Sequence, residues 1–179
     1  TASNFMVSEI ISLPQPDYYS NVSVEQALLI NNQNESFNNE AVSLKSIAQL
    51  LWASKDRSPD KNKLFFSRDN SHLQIYVVAG NVGQLASGVY LYDAFKHELI
   101  KTSDGDKREK LCGTISLLEP CFYNSAAAII FTAEYSPSFI KYTKKEKSCV
   151  HFKAGRIVQN IEIQSISLDL TTAIVDTFS

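Results

Sequence analysis

The chain has 179 residues, 44% hydrophobic and 20% charged, enough for one domain with a sizeable core and too few for two ample ones. A formal net charge of -2, with both signs spread along the chain, offers no basic face to nucleic acid or an anionic membrane, so small molecules or proteins are the expected partners. The longest apolar run, in Ala126–Phe131, is far shorter than the roughly 20 residues that span a bilayer, and no secretory pattern opens the chain; a cytoplasmic protein is the expectation.

Pro14 and Pro16 forbid regular helix near the start, which makes residues 1–22 an expected extended arm lying on the domain or on a partner. Ser23 and Gln26 have capping-box spacing for a short helix over Val24–Ile30. That helix runs into INNQNESFNN (Ile30–Asn39), a polar patch with no lysine, arginine or glycine. A second helix begins near Ser43, and Leu44, Ile47, Ala48, Leu51 and Trp52 recur on one face of it as core.

A polar loop then leads to Leu73–Ala79, LQIYVVA, whose β-branched and aromatic residues predict a buried strand. The glycine-containing Gly80–Gly88 is a turn between strands. Gly88–Asp93 and His97–Thr102 predict a hairpin, with Asp104-Gly105 as the next turn. Residues 107–118 allow a helix, Ala127–Ala133 predicts another central strand, and Thr171–Phe178 predicts a closing one. Between these last two, Val150, Ala154, Ile157, Val158, Ile161 and Leu168 share one face of a long helix over Glu146–Leu168. Strands interspersed with helices predict an α+β domain: a mixed β-sheet flanked by helices, occupying residues 23–179 as one unit.

Cys112, Cys121 and Cys149 are odd in number and far apart, which argues against a disulfide framework or a zinc site and for small buried hydrophobes. His72, His97 and His151 are equally scattered and expected in structural or surface roles. No metal site is expected. P-loop, G-x-S-x-G, HExxH and GxGxxG patterns are absent, which removes the usual signals for phosphoryl transfer, serine hydrolysis, zinc proteolysis and Rossmann cofactor binding.

Seven segments in order, ISLPQP, SIAQLLWAS, LQIYVVA, SGVYLYDAFKHELIK, AAAIIFTAEY, FIKYTKKEKSCVHFKAGRIVQNI and AIVDTF, resemble the nitroreductase superfamily. Within it the similarity is to the azoline dehydrogenases of streptolysin- and microcin-type peptide maturation. The resemblance implies a nitroreductase-like fold with a long central helix and an FMN cofactor at the interface of a homo- or heterodimer. It also implies electron transfer through the flavin and, in this branch, a peptide substrate. The family continues for several tens of residues past the position of Phe178, which implies a chain shorter than the family's usual length.

Residues matching the family's cofactor site depart from its pattern. Where the family has RRSxRxF to hold the FMN phosphate, this chain has Asn31, Asn32, Gln33 and Glu35 before Phe37. Charged hydrogen bonds to phosphate are worth about 1.5–3 kcal/mol each, so the exchange weakens FMN binding, and Glu35 adds repulsion. Where the family has a PSAGALYPLE-like segment, Phe65, Phe66 and Arg68 add bulk. Where it has QNLxLxAxxLGLGxxxxGxF, Gln159 and Asn160 match, but Asp169, Thr171 and Asp176 replace glycines.

Lys141 and Tyr142 match a Lys-Tyr pair used near the substrate, as general base and acid. Two expectations follow: a pseudo-oxidoreductase subunit or binding partner with a degenerate FMN site, or an active FMN-dependent oxidoreductase in which Arg68 or Arg57 replaces the missing clamp.

Overall fold

The computed structural model describes residues 9–30, 37–55, 73–114, 124–133 and 144–175. The first strand, β1 (Ile10–Ser12), is followed by helix α1 (Val24–Leu29). Its capping box forms as the spacing predicts: Gln26 N–H donates to Ser23 Oγ at 3.1 Å, and Ser23 N–H donates to Gln26 Oε1 at 2.9 Å. A short strand, β2 (Val42–Ser43), leads into α2 (Leu44–Ala53), where Ser43 Oγ accepts from Ser46 N–H. The apolar face of α2 is the predicted one: Leu44, Ile47, Ala48 and Leu51 are buried, while Trp52 is half-buried against the Tyr18 ring at 5.6 Å.

Next come β3 (Leu73–Ala79), β4 (Val82–Gly83), β5 (Gly88–Asp93) and β6 (Glu98–Asp104). The β5–β6 pair is the expected hairpin, and Gly105, at φ 76, makes the turn after it. Helix α3 is shorter than the allowed span. It covers Arg108–Cys112, after which Gly113 N–H donates to Glu109 O and Thr114 Oγ1 closes on Leu111 O at 2.7 Å; residues 115–118 lie outside the described residues. Strand β7 (Ala127–Ala133) precedes the long helix α4 (Lys144–Ser167). The described part of the predicted closing strand, Thr171–Val175, has no regular secondary structure.

Five strands form one sheet in the order β1-β6-β5-β3-β7, antiparallel at every pairing; the parallel component is the two-residue ladder of β2 with β4. Directly opposed residues share a face, so Val77 with Ile129 and Ile75 with Phe131 define the side on which the helices sit. On that side Leu51 of α2 packs with Val77, Tyr90 and Leu99, each essentially without exposed surface and stabilising the fold by about 1.5–3 kcal/mol. Leu50, on the flank of the same helix, joins Ile157 and Ile161 of α4 over Ile129 and Phe131. The arrangement is an α+β domain in which α2 docks on the sheet and α4 docks on α2.

The segment after β1 is held by backbone-mimicking hydrogen bonds. Buried Gln49 accepts from Asp17 N–H at 2.9 Å and donates to Asp17 O at 2.9 Å and to Gln164 Oε1 at 3.2 Å. Strand β7 lies at the edge among the described residues, although its sequence is apolar on both faces as a central strand's is. Cys112 is buried and free, with its thiol pushed up by burial; His151 is exposed, and Cys121 and His72 lie outside the described residues.

Candidate functional site

Helix α4 ends at Ser167 in a six-to-one closure: Leu170 N–H donates to Ser165 O at 3.0 Å and Asp169 N–H to Ile166 O at 3.2 Å. This Schellman geometry puts Asp169 at φ 55, in the left-handed region that glycine adopts at least cost. The nitroreductase pattern that the sequence resembles has glycine at this position. The backbone conformation is therefore the one a glycine favours, although the residue is an aspartate.

After that turn, Asp169–Val175 line a cavity of about 500 Å³. Ala126 and β7 from Ala127 to Phe131, Ile161 and Glu162 of α4, and Phe37, Asn38 and Glu40 also line it. Phe37, which follows the departing residues of the neutral patch and itself matches the resembled pattern, lines the same cavity as Asp169 and Thr171, which stand where that pattern has glycines. Among the described lining residues the charged ones are Glu40, Glu162 and Asp169, all acidic. The sequence reading missed Glu40 and Glu162. Their signal was positional, since Glu40 follows the patch directly and Glu162 stands in the same QNIEIQ stretch as Gln159 and Asn160.

A second cavity of about 650 Å³ lies on another side of α4, between α1 and the end of α2. Lys55, Arg156, Asn160, Gln164 and Trp52 line it. Asn160, expected at the cofactor, faces this space and donates from Nδ2 to Ala53 O at 3.4 Å; Gln159 is exposed and lines neither cavity. The predicted pair is therefore not brought together with Asp169. Asn31, Asn32, Gln33, Glu35, Arg68, Lys141 and Tyr142 lie outside the described residues. Among the described residues no group of three His, Cys, Asp or Glu could hold a metal ion, and no helix is long and apolar enough to cross a membrane.

An FMN phosphate carries about 1.5–2 negative charges and is held by cations or clustered N–H donors. The described donor set of the first cavity does not fit it. Its described charged residues, Glu40, Glu162 and Asp169, are all carboxylates, and no described lysine or arginine lines it to attract the phosphate.

No family model matches the chain. It superposes on a protein of Anabaena variabilis, provisionally named a nitroreductase, with a TM-score of 0.74 at 22% identity over 94% of this chain and 36% of that one. The chain has the nitroreductase fold. A provisionally named nitroreductase of Ralstonia eutropha shares that fold with a TM-score of 0.65 at 20% identity, over 89% of this chain and 72% of the other. E. coli microcin synthetase McbBCD, solved with truncated pro-MccB17 bound, matches with a TM-score of 0.58 at 16% identity, over 93% of this chain and 66% of that one. In sequence the chain is 22% identical over 175 residues to a protein of Methanocaldococcus jannaschii, also provisionally named a nitroreductase, spanning 96% of this chain and 87% of that protein. The chain thus spans about a third of the Anabaena structure's length and most of the archaeal relative's.

Proposed function

We propose that this nitroreductase-fold chain is a non-catalytic subunit or binding partner whose ancestral flavin site no longer takes FMN in the usual way. The observation that carries this reading is the acidic cavity at the meeting of Phe37 and Asp169–Thr171, where a dianionic cofactor meets Glu40, Glu162 and Asp169. Retention of the helix-terminal backbone without its glycine supports a scaffold kept for packing while its cofactor chemistry lapsed. The fold shared with the multi-subunit McbBCD complex supports a role beside a partner, as a homo- or heterodimer with another nitroreductase-like subunit.

A second reading, an active FMN-dependent oxidoreductase of the azoline-dehydrogenase type, draws on the other cavity. There Lys55 and Arg156, with Asn160, supply the cationic and amide groups that an anionic cofactor needs. In that reading Lys141 and Tyr142 act as base and acid on a peptide substrate, and Arg68 supplements the clamp.

The deciding experiment is an FMN titration followed by flavin fluorescence and thermal midpoint, on the native chain and on Arg156→Ala. No saturable binding at micromolar FMN is the expected result. Saturable micromolar binding that Arg156→Ala abolishes overturns the first reading in favour of the second.

A further inference from the structure

Between β1 and α1 the chain crosses from the β5–β6 turn to α2 over Leu13–Ser20, without regular secondary structure. Pro14 and Pro16 carry no N–H and fix their own φ, so this piece is stiff and has few donors. It is latched at two places. At the first, Leu13 N–H donates to His97 O at 3.1 Å, and the His97 ring lies between Pro14 O, 3.1 Å from Nε2, and the Tyr92 hydroxyl, 2.9 Å from Nδ1. At the second, the buried Gln49 amide bonds both backbone groups of Asp17 and donates its other N–H to Gln164 Oε1. Gln164 Nε2 donates onward to Ser167 Oγ at 2.5 Å, and Ser20, Gln164 and Ser167 all line the cavity of about 650 Å³.

We propose that Leu13–Ser20 is an acid-released strap: protonation of His97 undoes the first latch, the stiff proline segment lifts from the second, and the wall of the larger cavity loosens. Nε2–H already donates to the Pro14 carbonyl, so an added proton goes to Nδ1. There it meets the Tyr92 hydroxyl hydrogen and turns that buried hydroxyl away from its acceptor. The other charged groups around the ring are Lys55 after α2, Asp93 of β5, whose charge acts on the Tyr92 hydroxyl, and Glu98 of β6, which accepts from Ser12 Oγ at 3.5 Å. On the strap itself Asp17 pairs with Lys45 at 2.8 Å. Burial first, and then the positive charge of Lys55, disfavour the imidazolium in the docked state, against the pull of the Pro14 bond. Lifting returns the ring to water, where it binds a proton more readily, so falling pH favours the lifted strap. Lifting also removes two of Gln49's three partners, and the amide that held Gln164 at the cavity is then free to turn.

The test is hydrogen exchange by mass spectrometry between about pH 7.5 and about pH 5, corrected for intrinsic rates. It is paired with acrylamide quenching of Trp52, the chain's one tryptophan, whose ring meets that of Tyr18 at 5.6 Å. Protection over residues 13–20 is expected to fall about ten-fold with acid, and Trp52 quenching to rise, while β3 and β5 keep their protection. His97→Asn tolerates the left-handed backbone at φ 60 and cannot titrate, and its strap protection is expected to be the same at both pH values. Tyr92→Phe removes the donor to Nδ1 and is expected to move the release to higher pH. Unchanged strap protection in the native chain overturns the proposal, as does an equal fall in His97→Asn or a Tyr92→Phe release at no higher pH than the native one. Loss of β3 and β5 protection in the same step also overturns it, because acid then unfolds the domain and lifts no separate strap.

Discussion

The Tyr92 hydroxyl and His97 Nδ1 lie 2.9 Å apart in the core, while His97 Nε2 lies 3.1 Å from Pro14 O. A carbonyl only accepts, so Nε2 carries the proton and the neutral ring accepts the tyrosine hydrogen at Nδ1. His97, at φ 60 in the hairpin turn, also accepts at its own carbonyl from Leu13 N–H at 3.1 Å. One residue therefore fastens the segment after β1 to the β5–β6 turn.

Burial, together with the positive charge of Lys55, holds the His97 pKa below its usual 6.5, against the opposite pull of the Pro14 bond. In the unfolded chain the ring binds its proton more readily, so this contribution to stability is complete above the unfolded pKa and is lost as pH falls through the folded one. The thermal midpoint is expected to drop between about pH 7.5 and about pH 5, and to drop less in His97→Asn, which tolerates the left-handed backbone but cannot titrate. Equal pH slopes in the two proteins rule out the His97 contribution.

Gly80 and Arg108 are in contact so close that a Cβ on Gly80 overlaps the guanidinium. That guanidinium pairs with Asp106 at 2.7 Å and donates to Ser125 O, tying α3 to the ends of β3 and β7. Gly80→Ala is expected to displace Arg108 and to cost about 1–3 kcal/mol of unfolding free energy, measured by denaturant titration. Combined with Arg108→Ala, the glycine substitution is expected to cost far less than it does alone, because the clash is gone.

Asp169 supplies the third test. Asp169→Gly is expected to raise stability by up to about 1 kcal/mol, since relief of the left-handed strain exceeds the extra freedom that glycine gives the unfolded chain. Asp169→Ala is expected to lower it. Thermal melts of both variants check the sign, and a destabilised Asp169→Gly requires that the carboxylate itself holds the turn.

Local chemistry was written in the sequence. The Ser23/Gln26 box, the α2 stripe, the exact limits of β3 and the long apolar face of α4 all came from short-range rules: cap spacing, the 3.6-residue period and β-branched content. The order of these elements was enough for the α+β class, and the segment resemblance for the nitroreductase fold.

Tertiary structure decided what depends on residues far apart in the chain. An apolar strand reads alike at the centre of a sheet and at an edge, so only the assembled order put β7 outermost among the described strands. Phe37 and Asp169 are separated by most of the chain, and only folding placed them around one cavity with Glu40 and Glu162. Asn160, adjacent to Gln159 in sequence, faces the other cavity, because successive helix positions diverge by about 100°. A sequence motif specifies residue types in order, whereas a site is specified by the faces those residues present, and the packing of α4 on α2 sets those faces.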